Sequence, residues 1–212
     1  MQTVVIVAGV LAEIAGWWLV STRRVDIWKL MPVVLGAMGV AAAVVRPPIA
    51  AAATTTIAAL IAGLGAGLAL YLATRAFVWA ASHWRPFRRD VFETYGQAGE
   101  VTLAATLVLS LVIMVPAEEL FWRGLLQARL DKAMAPLAAA LITWGVYIGV
   151  NLASRSLPIV AAAIVGGAVW AGLAWWTGGV LASLSSHILW TGLMLALPPG
   201  AARPALEEGT GR

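Results

Sequence analysis

Residues 101–124 read VTLAATLVLSLVIMVPAEELFWRG. The stretch begins as an apolar run and ends in two adjacent glutamates, Glu118 and Glu119, with Arg123 four residues after the second. An apolar run of this length without strand alternation reads as a helix in lipid, where backbone polar groups must be satisfied within the segment. Ionisable groups at such a depth are costly and usually face a cavity or a partner. What answers those three charges is therefore a question of fold and of function together.

The rest of the chain supports the membrane reading. Of 212 residues, 61% are hydrophobic and only 11% are charged, against roughly a quarter charged in a soluble domain. The length suits several spans of about 20 apolar residues each. The absence of cysteine removes disulfides, thiolate metal ligands and a cysteine nucleophile. A net charge of +4, with arginines set between apolar runs rather than in a tract, argues against nucleic-acid binding and for loops held at lipid headgroups. The N-terminal MQTVVIVAGVLAEIAGWWLV has no basic n-region and puts Trp17 and Trp18 where a signal peptide needs small residues, so it reads as a retained first span.

Apolar runs fall at about residues 2–20, 28–45, 49–73, 101–117, 137–154, 158–176 and 178–197. The expected fold is an all-α polytopic membrane protein, with about seven transmembrane helices around a polar cavity. Residues 74–98, with RPFRRD, read as an interfacial, partly helical segment. Gly and Ala in IAGLGAGLAL and VGGAVWAG permit close helix contact. Arg23, Arg24 and Lys29 after the first run, and Arg75, Arg85, Arg88 and Arg89 after the third, favour a cytoplasmic side for both loops. Arg129 and Lys132 oppose that count unless the residues after Pro116 form a helix that does not complete a crossing.

The candidate site is built from polar residues within the runs. Glu119 and Arg123 stand four apart with the acid first, the favourable order for a helical ion pair. Glu118 points about 100° away around the helix and has no such local partner. A carboxylate without a cation of its own, facing an apolar cavity, suits the work of a general base. In LITWGVYIGVNLAS, Thr143, Tyr147 and Asn151 share one helix face; in GGVLASLSSHILWTG, Ser183, His187 and Thr191 repeat that spacing. Each stripe alone suits interhelical hydrogen bonding. Together with Glu118 they suggest a carboxylate that activates water beside polar groups that hold an oxyanion. Glu13 could line the same cavity, but a hydroxyl on a neighbouring helix is a simpler partner, and Glu13 is left outside the site. His83, beside Trp84 and Arg85, reads as an interfacial histidine.

In these motifs the chain resembles the CAAX-processing and bacteriocin-processing (CPBP) membrane proteases, which include the type II CAAX prenyl endopeptidases. The family pattern is Glu-Glu-x-x-x-Arg, then Phe-x-x-x-His, then His-x-x-x-Asn. EELFWR, Glu118 to Arg123, matches the first motif. YIGVN has Tyr147 for the Phe and Asn151 for the His, and HILWT keeps His187 with Thr191 for the Asn. The resemblance covers residues 101–197. It implies a glutamate intramembrane protease in which Glu118 is the general base on a water, aided by His187. Groups at the positions of Asn151 and Thr191 would polarise the scissile carbonyl and its oxyanion. Asn151 can donate an amide N–H but cannot act as a general acid, and Thr191 keeps a shorter hydroxyl donor.

The resemblance divides the chain into variable N-terminal helices and an interfacial segment (1–100), catalytic helices (101–197) and a tail expected to be disordered (198–212). It implies a membrane-associated protein or peptide substrate, such as a prenylated tail, a bacteriocin leader or a membrane anchor, and no cofactor. Zinc fits poorly, because only His187 and the two glutamates are placed to offer ligands. The alternative reading is a catalytically impaired pseudoprotease that acts as a membrane scaffold, for which the replacements at Asn151 and Thr191 argue. A third reading, a small transporter or channel, is motivated by Glu13 and the buried charges, but the sequence shows none of the internal repeats common in that class. Abundant alanine and arginine with little lysine point to a bacterial cell membrane. Oligomeric state has no signature in the sequence.

Overall fold

The computed structural model describes residues 1–98 and 101–200. Eight helices carry the architecture: α1 (Gln2–Ser21), α2 (Ile27–Val45), α3 (Thr56–Ala81), α4 (Arg85–Ala98), α5 (Leu103–Leu130), α6 (Pro136–Asn151), α7 (Leu157–Thr177) and α8 (Leu181–Ala196). All but α4 and α8 are long and apolar enough to cross a membrane, α6 together with the following turn to Ser154. The apolar α8 is shorter, at 16 residues. No strand occurs among the described residues. The chain is an all-helical polytopic membrane protein, and its outward faces carry large apolar side chains such as Val4, Leu11, Val40, Ile61 and Val112. The tail beyond residue 200, expected to be disordered, lies outside the described residues.

Local signals set the helix ends. Asp26, Thr55 and Thr102 each cap a helix start, their side chains accepting from Trp28 N, Ala58 N and Ala105 N. Gly178, at φ 68°, closes α7 in the left-handed conformation and donates its N–H to Ala174 O. Two boundaries differ from the run lengths. Ala50–Ala53, read as the start of the third run, form a connection that docks on the α7–α8 turn: Ala52 N and Ala53 N donate to Thr177 O, and Val180 N and Leu181 N donate to Ile49 O and Ala50 O. Residues 74–81, read as interfacial, are the last turns of α3.

The fourth run does not stop at 117. α5 continues through Pro116 and the charged residues to Leu130, 28 residues in all. Arg129 and Lys132 therefore lie at the bundle end opposite Arg23, whose guanidinium meets Glu93 of α4 at 3.5 Å. Pro116 has no N–H, and its ring crowds the carbonyl four residues earlier. The helix widens to π winding over Leu109–Met114 just before it, and again over Leu120–Gln127 just after Glu119.

Small residues bring the helices together. A Cβ on Gly63 of α3 would overlap the Ser185 hydroxyl and the Ala182 carbonyl of α8, and one on Gly67 would stand 2.7 Å from Ser186 O. Gly39 of α2 meets Ala117 of α5 in the same way. Close backbone approach of this kind replaces the hydrophobic drive that lipid cannot supply between helices. Across one end lies α4. Phe87 and Val91 pack on Val78, Asp90 accepts from Leu157 N at 3.2 Å and the Tyr95 hydroxyl donates to Met194 O at 3.2 Å. We predict that Gly63→Leu destabilises the bundle by about 1–3 kcal/mol, seen as a lower melting temperature in detergent. Gly65→Leu, where a Cβ meets nothing within 4 Å, should leave it unchanged.

Candidate active site

The site forms where α5 meets α6, α7 and α8. Glu118 and Glu119 project from the last α-wound turn before the second π segment, and Arg123 lies within that segment. Arg123 Nη1 donates to Glu119 Oε1 at 3.0 Å, with both side chains fully buried. Its Nη2 donates to Gly167 O of α7 at 3.3 Å. The guanidinium also lies 4.9 Å from the Tyr147 ring centre and 5.6 Å from that of Trp170, so aromatic faces replace part of the lost hydration. Gly167 makes this possible, since a Cβ there would stand 3.0 Å from the Tyr147 ring.

His187 of α8 completes a second bond to the same carboxylate, with Nδ1 at 2.9 Å from Glu119 Oε1. Its ring is stacked on Trp170 at 3.5 Å and 16°. With Nδ1–H donating to Glu119, a neutral imidazole presents its Nε2 lone pair to Glu118. That nitrogen lies 3.9 Å from Glu118 Oε2, too far for a direct hydrogen bond. Glu118 Oε1 accepts from the Tyr147 hydroxyl at 3.4 Å. The adjacent glutamates thus face different partners: Glu119 is saturated at one oxygen by a cation and an imidazole, while Glu118 has only a hydroxyl. Their exposure differs too, since the Glu118 side chain keeps 11% of its surface and Glu119 none.

Thr143, Tyr147 and Asn151 are all buried on one face of α6, as are Ser183 and His187 on α8. Ser183 lies beside Glu119, and its hydroxyl donates to Val180 O at 3.0 Å. The Asn151 amide donates to Tyr147 O, four residues back, at 2.9 Å, and makes no hydrogen bond to Glu118 or His187. Thr191 is half-buried, one turn beyond His187, and is not bonded to the other site residues. His83 is remote and exposed, its Nδ1 at 2.9 Å from Ala80 O. Among the described residues no three His, Cys, Asp or Glu side chains could together hold a metal ion.

Glu13, placed outside the site on sequence grounds, lies close to it in the fold. It is fully buried, within the electrostatic reach of Glu118, and its Oε2 accepts from the Trp122 indole N–H at 3.2 Å. The partner is an indole and not the hydroxyl expected. Trp122 in turn packs edge-on to Tyr147, with ring centres 5.3 Å apart. A carboxylate in a span was the available signal. The two tryptophans that wall the site, Trp122 and Trp170, carry no such mark in the sequence.

Residues 100–193 match the family described as type II CAAX prenyl endopeptidase Rce1-like. No curated protein and no solved structure matches the chain. The matched span holds the paired glutamates, Arg123, Tyr147, Asn151, His187 and Thr191, whereas Glu13 lies outside it. Over these residues, somewhat less than half of the chain, the protein is similar to the Rce1-like type II CAAX prenyl endopeptidases.

Proposed function

We propose that the protein is a glutamate-type intramembrane endopeptidase that hydrolyses a peptide bond in a membrane-associated protein or peptide. The observation that carries this reading is the 3.9 Å gap between Glu118 Oε2 and His187 Nε2. A water at about 2.8 Å from both atoms would bridge it, with a proton acceptor on either side. Glu118 takes a proton from that water as its oxygen attacks the scissile carbonyl carbon. The carbonyl becomes an oxyanion. As the C–N bond breaks, the leaving amine takes the proton back from Glu118.

The oxyanion needs donors aimed at the charge as it develops. One Asn151 amide hydrogen is engaged by Tyr147 O, and the second is available for this role, with the Thr191 hydroxyl as the other candidate. Glu119 and Arg123 do no chemistry in this scheme. They hold His187 at Nδ1 so that Nε2 faces Glu118. A prenylated tail, a bacteriocin leader or a membrane anchor would each present a peptide bond near the bilayer surface.

The test is cleavage of a panel of membrane-tethered peptides by the protein in liposomes. Glu118→Gln should lower the rate by at least ~10²-fold while the melting temperature stays near wild type. Asn151→Ala should lower kcat by ~10²–10³-fold, and Asn151→His should retain cleavage. No cleavage by wild type across the panel, with cleavage gained in Asn151→His, would instead mark a degenerate site. Glu119→Ala leaves Arg123 buried and unpaired and should destabilise the fold by about 3–5 kcal/mol, visible as a loss of folded protein whether or not a substrate is present.

A further inference from the structure

At the bundle end opposite α4 lies a second cavity, of about 160 Å³, formed where α2, α5 and α7 end. Its walls carry Arg46, Asp131 and Lys132, and its lining also includes the buried Arg123 and Gln127. The opposed charges are not bridged. Asp131 feels the field of Arg46, yet neither Arg46, Asp131 nor Lys132 makes an ion pair within 4.0 Å among the described residues. Two buried polar atoms in the lining also lack hydrogen-bond partners: Arg123 Nε, a donor, and Gln127 Oε1, an acceptor. Arg123 and Gln127 are only 2% and 1% exposed. Unpaired groups at that depth are costly unless something fills the space between them.

The lining restricts what that can be. A simple anion would suit Arg46 and Lys132 but would meet Asp131 and the bare Gln127 oxygen. A simple cation would meet the opposite conflict. A zwitterion satisfies both, provided that its positive end carries N–H groups for Gln127 Oε1 and its negative end carries oxygens for Arg123 Nε. A quaternary ammonium has no N–H to give. The cavity also lies where the apolar spans stop, the level at which headgroups begin. The geometry points to a binding site for the phosphoethanolamine group, presented by an ethanolamine phospholipid. The phosphate is held by Arg46 and Lys132, and the ammonium by Asp131 and Gln127. Gly178 and Gly179 also line it, at the turn that follows α7. Because Arg123 lines the cavity, the headgroup also touches the guanidinium that holds Glu119.

This site does not depend on the proteolytic reading, and its test needs no turnover. The full-length protein in detergent is titrated with short-chain phosphatidylethanolamine, phosphatidylcholine and phosphatidylglycerol, and its melting temperature is followed. The ethanolamine lipid should raise it saturably, at concentrations at least tenfold below those needed for the other two. Soluble phosphoethanolamine should act only at higher concentration, which identifies the lipid as the source. Asp131→Asn, at the exposed mouth, should erase the preference for ethanolamine over choline, and Lys132→Ala should weaken all phosphate-bearing lipids alike. Equal response to ethanolamine and choline lipids, a preference that survives Asp131→Asn, or stabilisation by a zwitterionic tripeptide but not by the lipid would each overturn the assignment.

Discussion

A guanidinium at lipid depth has to be answered from within the protein, and Arg123 is answered from several directions. Glu119 comes from the same helix, the Gly167 carbonyl from α7, and ring faces from Tyr147 of α6 and Trp170 of α7. Removing Glu119 leaves this buried cation without its counter-ion. The guanidinium therefore fixes the relative positions of α5, α6 and α7 more tightly than apolar contact alone, since apolar side chains gain little by leaving lipid for one another. His187 brings α8 into the same network through Glu119 Oε1. Much of the site's geometry follows from the requirement to neutralise one cation.

That requirement also explains why two adjacent glutamates differ. Successive residues on a helix point about 100° apart, so one position can face the cation while the next faces elsewhere. Glu119 turns to Arg123 and His187, and Glu118 turns to Tyr147 and the open side of the imidazole. The π winding that begins at Leu120 affects Arg123 and not the glutamates. It widens the helix where the long side chain has to fit beside its own acid partner. The proline two residues before Glu118, with the π segment ahead of it, leaves the glutamate pair on a short α-wound stretch between two widened ones.

The fold class was legible because the lipid constraint acts directly on composition: long apolar runs without alternation leave only helices. Boundaries were less legible. Ala50–Ala53 are apolar enough to continue a span, but two prolines precede them and their backbone bonds are made to the α7–α8 turn, a contact between residues far apart in sequence. The run that ends in charges could be followed to residue 117, whereas its continuation to Leu130 depends on partners that bury those charges. In the site, spacing at i, i+4 and i+8 identified the polar faces of α6 and α8. Spacing says which face a side chain leaves from and not where its hydrogen bond ends. Asn151 bends back to its own helix, and Glu13 finds an indole 109 positions away.

The two departures from the family motifs fall on one side of the chemistry. In the proposed reaction, proton handling rests on Glu118 and His187, which are both retained, with the imidazole held at Nδ1 by the Glu119 carboxylate. The replaced positions are those expected to stabilise the oxyanion, and each replacement still carries a hydrogen-bond donor. Asn151 gives up the proton-carrying capacity of a histidine but keeps a second amide hydrogen beyond the one bonded to Tyr147 O. On the proposed mechanism, the replacements bear on stabilisation of the tetrahedral intermediate and not on generation of the nucleophile. A third carboxylate, Glu13, stands behind Trp122 and Tyr147 on the Glu118 side. The N-terminal helix α1 thus places a buried carboxylate next to the site although it lies outside the matched family span.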